Sequence, residues 1–311
     1  MGHVFACRVA ALVVTGLIAI AAPASAATGI SGAQGLTVSV DPSGAYDIQL
    51  QNPVWDFGGN VGASLANLAI GYGTDTVGDY SEISFDFQTD ALRHGAIRTY
   101  QNHQAVLFTL SCPSGAPNSV TFPSLIRYPS GLNHFGYSGM FANATFTSLP
   151  GESPWAFFDS AANTFIVSPA ANFMVAQNAV GPNGEIQSGI APGIAVLPPG
   201  FTHKVLLVVE NGVNPAFATW GRALTDLHGK TRPSNDADIS LSQLGYWTDN
   251  GASYYYHTEA STAAGMFGAA NPYEQTLAAV KSSFDSLHIH LGSLQLDSWF
   301  YPKGPRVDWS D

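Results

Sequence analysis

Two short stretches near the C-terminus carry residue types that can do chemistry. Leu244-Gly245-Tyr246-Trp247-Thr248-Asp249-Asn250-Gly251 and Leu294-Gln295-Leu296-Asp297-Ser298-Trp299-Phe300-Tyr301 share one layout: an apolar, strand-like run ending on a carboxylate with aromatic rings beside it. Carboxylates accept hydrogen bonds from hydroxyls, and indole or phenol rings stack on the C–H faces of a pyranose, so the pairing suits carbohydrate. Asp297 and Asp249 are therefore the candidate hydroxyl-binding acids, with Trp299 and Trp247 as stacking walls. A strand-end acid can instead cap the next helix. Tyr254, Tyr255 and Tyr256 lie on the intervening loop, where sugar contact and simple loop packing account for them equally well.

The other chemical signals are thin. His288-x-His290 puts two imidazoles on one face of an extended segment, yet no nearby Cys or acid completes a ligand set, so no metal site is expected. Cys112 is the only cysteine outside the first 26 residues; at the end of a strand-like run it reads as a buried small residue, and no intramolecular disulfide is available. A phosphate-binding glycine loop, a Gly-x-Ser-x-Gly elbow and zinc-type Cys spacing are all missing, and Gly58-Gly59 reads as a turn. No cofactor is expected.

The elements that must position the two acidic strand ends are legible. Leu241–Trp247 reads as a strand. After a long loop, Asn271 can cap a helix with Pro272 in its first turn and Glu274 at the capping-box position. Tyr273, Leu277, Val280 and Phe284 then line one helical face to about Leu287, and Leu291–Leu296 forms a second strand. Strand, helix, strand implies a parallel pair, whose C-terminal ends lie side by side.

The region before it has a different grammar. From Gly35 to about Asn211, short alternating or β-branched runs are separated by turn residues: Leu36–Val40, Tyr46–Leu50, Ser81–Phe87, Ala96–Tyr100, Ala105–Leu110, Thr164–Ser168 and Lys204–Glu210. So many strands without helices predict a large antiparallel β-sandwich. Asn214-Pro215 opens a helix, with Phe217, Trp220, Leu224 and Leu227 at helical spacing up to Gly229. The expected division is a leader at 1–26, a β-sandwich with closing helix at 27–230, a polar linker at 231–239, and the opening of a (β/α) barrel at 240–311.

Arg8, the apolar run Val9–Ala22 and the small-residue triplet Ala24-Ser25-Ala26 form a secretory signal with cleavage expected after Ala26, which predicts a secreted protein, extracellular or periplasmic. The run falls short of the ~20 residues that span a bilayer, so no membrane span is expected after cleavage. Only 11% of the 311 residues are charged and the formal net charge is −11, which argues against a nucleic-acid partner.

The stretch from Leu241 to Gly304 (GYWTDNGASYYYHTE, a helix, then LQLDSWFYPKG) resembles the first two β/α units of the catalytic barrel of alpha-galactosidase and raffinose-synthase-like glycoside hydrolases. The region before it, with Tyr46 and Pro53-Val54-Trp55-Asp56-Phe57-Gly58-Gly59, resembles their N-terminal, galactose-mutarotase-like β-supersandwich. The resemblance implies a mainly β chain: a large antiparallel supersandwich, a linker helix and an incomplete (β/α) barrel. It also implies that Asp297, ending the second barrel strand, binds substrate hydroxyls with Trp299 as stacking wall, while Trp247 and Asp249 on the first strand serve similarly. In that family the nucleophile and the acid/base sit on later strands, expected beyond Asp311, so this chain is expected to lack the catalytic pair. The expected function is a secreted glycoside-hydrolase-like protein that acts on or binds oligo- or polysaccharide. The alternative is a non-catalytic exported β-sandwich that binds glycans.

Overall fold

Period-two alternation dominates the N-terminal two thirds of the chain and turns every second side chain inward. Along Asp79–Gln88, Ser81, Ile83, Phe85 and Phe87 are buried while their neighbours reach solvent. A computed structural model describes residues 26–139, 143–248 and 273–297. By its internal contacts the chain divides into two compact units, Met1–Lys230 and Thr231–Asp311.

The first unit opens with β1 (Thr28–Ser31), β2 (Thr37–Val40), β3 (Ala45–Gln51) and β4 (Val54–Asn60). Four longer strands follow: β5 (Leu65–Thr74), β6 (Asp79–Gln88), β7 (Leu92–Tyr100) and β8 (Ala105–Cys112). Then come β9 (Ala116–Pro117), β10 (Ser124–Arg127), β11 (Asn133–Ser138), β12 (Asn143–Thr145) and β13 (Trp155–Phe158). β14 (Asn163–Pro169), β15 (Ala176–Val180), β16 (Ile186–Ile190), β17 (Val196–Leu197) and β18 (Phe201–Asn211) complete the set. They form a seven-stranded sheet in the order β1-β2-β3-β4-β10-β16-β15 and a nine-stranded sheet in the order β12-β11-β13-β14-β18-β8-β7-β6-β5; β17 and β9 pair separately. One hydrophobic core joins the inner faces, with Tyr46, Ile48 and Phe57 from the first sheet meeting Phe85, Phe108 and Phe165 from the second.

β18 shows why its sequence does not alternate. Val205, Leu207 and Val209 face the inter-sheet core, while Leu206 and Val208 face the helix α1 (Val213–Leu227), so both sides are apolar. Ala216, Thr219 and Ala223 are the buried residues of α1, and Phe217, Trp220, Leu224 and Leu227 flank them half-buried. The helix begins two residues earlier than Asn214-Pro215 predicts. Gly212 is the N-cap, without a side-chain bond, and Pro215 falls in the first turn, where its missing N–H costs nothing. Gly229 ends it with φ +57, the left-handed conformation that glycine tolerates best.

Gly58-Gly59 is not a turn: both glycines lie within β4. Tyr46, paired with Gly59, sends its buried ring across the sheet; its hydroxyl donates to Ser124 O at 2.9 Å and accepts from Ser124 N at 3.0 Å. A Cβ on Gly59 would overlap that hydroxyl and the Ser124 carbonyl oxygen, so glycine here serves close packing rather than a bend.

In the second unit, α2 (Ile239–Ser242) precedes β19 (Leu244–Trp247), and α3 (Tyr273–Ser286) leads to β20 (Leu291–Gln295). The expected strand from Leu241 therefore starts three residues late, because the Asp238 carboxylate accepts from Ser240 N at 2.8 Å and caps a helical turn instead. β19 and β20 pair in parallel. Asn271 and Pro272, the expected start of α3, lie outside the described residues.

Candidate functional site

The two parallel strands meet in register at their C-terminal ends, with Tyr246 opposite Leu294 and Trp247 opposite Gln295. Tyr246 packs edge-on against Phe284 of α3, ring centroids 5.8 Å apart, which fixes the helix to one face of the pair. Because side chains alternate along a strand, Trp247 and Gln295 share the opposite face. Trp247 is 54% exposed there.

Thr248 holds these ends together. Its backbone N–H and its hydroxyl both donate to Gln295 O, at 3.2 and 3.1 Å, and the hydroxyl accepts from Asp297 N at 3.1 Å. Thr248 has no exposed surface and is the only buried side chain among the described residues of this unit. Its effect is to set the backbone of half-buried Asp297 beside the end of β19. The structure thus brings together Trp247 and the segment leading to Asp297, two of the four predicted sugar-contacting residues. Asp249 and Trp299 lie outside the described residues, as do Tyr254, Tyr255 and Tyr256.

Thr248 escaped the reading of the sequence, which gave the chemistry to its neighbours. Its signal was available: a β-branched residue with a hydroxyl, at the end of a predicted parallel strand, beside the acid. Arg93 was also missed. It sits on an inward-facing position of β7 without exposed surface, donating to Asp90 Oδ1 at 2.6 Å and to Pro117 O at 2.8 Å. Hydrogen bonds from Ser119 and Arg93 hold the Asp90 carboxyl well below the usual carboxylate range. Nothing local distinguishes Arg93 from an ordinary surface arginine on an edge of a strand.

The two histidines do not share an extended face. His288 takes a left-handed conformation, φ +56, just after α3, and only His290 borders β20. Among the described residues no three His, Cys, Asp or Glu side chains gather as a metal site would require. Cys112 ends β8 fully buried and unpaired, and burial pushes its thiol pKa up, away from the reactive thiolate. No helix among the described residues is long and apolar enough to cross a membrane.

No family model matches the chain, and no curated protein matches it in sequence. Solved structures do match. A beta-arabinopyranosidase aligns over 88% of this chain and 56% of its own, at 10% identity and a TM-score of 0.50. An alpha-N-acetylgalactosaminidase from Bifidobacterium bifidum covers 84% of this chain and 49% of its own, at 10% identity and a TM-score of 0.44. For a Glycoside Hydrolase Family 97 enzyme from a Pseudoalteromonas the values are 83%, 46%, 10% and 0.44. The chain spans about half the length of these structures. The likeness is one of fold alone, a β-sandwich followed by β/α elements. It does not single out the alpha-galactosidase or raffinose-synthase family that the C-terminal motifs suggest.

Proposed function

We propose that this is an exported glycoside-hydrolase-like protein that binds or acts on carbohydrate at the C-terminal ends of β19 and β20. In this reading Asp297 and Asp249 accept hydrogen bonds from sugar hydroxyls, and Trp247 and Trp299 stack on the ring. The observation that carries it is Trp247, half exposed at a strand end and held by Thr248 beside the approach to Asp297. An exposed indole next to a carboxylate offers the apolar face and the polar edge that a pyranose presents in return. The fold shared with beta-arabinopyranosidase supports a glycoside as the ligand class. Export is supported by the leader-like first 26 residues.

No described residue is assigned as nucleophile or acid/base. Retaining glycosidases need two carboxyl groups about 5–5.5 Å apart, and Asp297 is the carboxylate at these strand ends among the described residues. Tryptophan fluorescence of the full chain, titrated with L-arabinose, D-galactose and their aryl glycosides, tests the proposal. Saturable change in the native protein and its loss in folded Asp297→Ala and Trp247→Ala are expected. No response to any of these sugars, or a response that both variants retain, would reject it.

A further inference from the structure

Two adjoining hollows on the sandwich unit share Ser119 and Thr121. The more enclosed one, about 220 Å³, has Gln177, Gln187 and Gly189 along its floor and Asn118, Ile190 and Pro192 along its sides. The shallower one, about 450 Å³, runs between Asn60–Gly62 and Thr89–Asp90. The floor follows from strand alternation: Asn178 and Ser188 turn into the core, so Gln177, Gln187 and Gly189 of β15 and β16 face outward. Gly189 keeps the floor low, since a Cβ there would stand 3.1 Å from the Thr121 methyl.

The walls are fixed before any ligand arrives. Asn118 Nδ2 donates to the carbonyls of Ile190, Ala191 and Ile194 at 3.2, 3.2 and 2.9 Å, tying the two flanking loops together. Beneath them, buried Arg93 donates to Pro117 O and to Ser119 Oγ at 3.2 Å, and Ser119 donates to Asp90 Oδ2 at 2.6 Å. A site assembled this way spends little binding energy on ordering itself. Its floor is meanwhile unspent: Gln187 uses only Nε2, on Ser124 Oγ at 3.3 Å, and Gln177 and Thr121 make no side-chain hydrogen bond among the described residues.

We propose that this two-part groove, built from the sandwich unit alone, binds a neutral polyhydroxylated glycan. Carboxamides and a hydroxyl each donate and accept, as a sugar hydroxyl does, and the enclosed hollow contains no full charge. Val61, Val120, Ile190 and Pro192 supply apolar contact for the C–H faces. Asp90 at the far end and the net charge of −11 repel polyanions. Lacking an aromatic platform, the groove suits weak, repeated contact along a polymer.

Affinity electrophoresis of the full chain through gels containing arabinogalactan, galactomannan or pullulan provides the test. At least one polymer is expected to retard the native protein. The pair Gln177→Ala with Gln187→Ala should weaken that retardation by at least about fivefold, and Thr121→Trp, which fills the hollow, should abolish it. Circular dichroism must show each variant folded. In an Asp297→Ala background, which removes the strand-end contribution, the groove variants should still lower the retardation that remains, which separates this site from the strand-end proposal. No retardation by any of the three polymers, or retardation unchanged in both groove variants, overturns the inference; loss in Asp297→Ala alone would overturn it while leaving the strand-end reading in place.

Discussion

Phe57, Phe108 and Phe165 in the sandwich have no exposed surface, whereas Leu244, Trp247 and Leu294 in the C-terminal unit expose 63%, 54% and 43%. Both groups are apolar residues on strands; what differs is their cover. In the sandwich each sheet covers the other, and α1 covers the outer face of the larger one at Leu206 and Val208. Each side chain buried in this way is worth about 1.5–3 kcal/mol. β19 and β20 are a parallel pair, a kind of sheet ordinarily covered on both faces, yet Leu277, Val280 and Phe284 of α3 are only half-buried. The sandwich is therefore held by collective packing, and the C-terminal unit by a few local bonds, Thr248 to Gln295 and Asp297 foremost among them.

The sharpest way to break this contrast is Gly59→Ala. A methyl group there overlaps the Tyr46 hydroxyl and the Ser124 carbonyl oxygen, neither of which can move without opening the sheet, so a loss of about 3 kcal/mol or more is expected in urea unfolding. A loss below about 1 kcal/mol would mean that the sandwich core yields as readily as the C-terminal unit.

A comparable effect is expected from acid. His203 is 2% exposed on β18, its Nε2 has no hydrogen-bond partner, and burial pushes its pKa down from 6.5 to about 4. The unfolded chain takes up a proton near pH 6.5 while the folded protein stays neutral until about 4. Titration of His203 therefore costs no stability above pH 6.5, and stability drains between 6.5 and 4 by up to about 3 kcal/mol. Equilibrium unfolding across that range should show the decline, and His203→Leu should flatten it. An unchanged slope in the variant would place the decline elsewhere.

The smallest effect sharpens the other side of the comparison. Thr248→Val keeps the shape and deletes the hydroxyl that joins Gln295 to Asp297, a local loss of about 1–2 kcal/mol. Hydrogen exchange should speed up in 244–248 and 291–297 while the strands of the sandwich keep their protection. Equal protection of both regions in the native protein, or faster exchange in the variant that spreads to β18, would contradict this contrast between the two units.

Part of this was legible in the residues themselves. Alternation in β3, β6 and β7 and the apolar run of β18 predict strands and a mainly β chain, and the spacing of Leu277, Val280 and Phe284 predicts α3. Strands such as β5, with its Ala and Gly residues, carry no such signal, because they are made by neighbours rather than by propensity. Likewise Asp238 outbids strand propensity at Leu241 through a single capping bond, a contest that composition cannot score.

The sequence by itself determined which residues are apolar and at what period, and hence that antiparallel strands precede a strand–helix–strand unit ending on Asp297. Tertiary structure alone decided that Gly59 makes room for Tyr46, that Arg93 turns inward to brace the 117–119 segment, and that Thr248 stitches the strand ends. The reason is physical. Periodicity acts between residues a few positions apart, whereas these contacts join residues 13 to 78 positions apart, and their partners are chosen by sheet order and register.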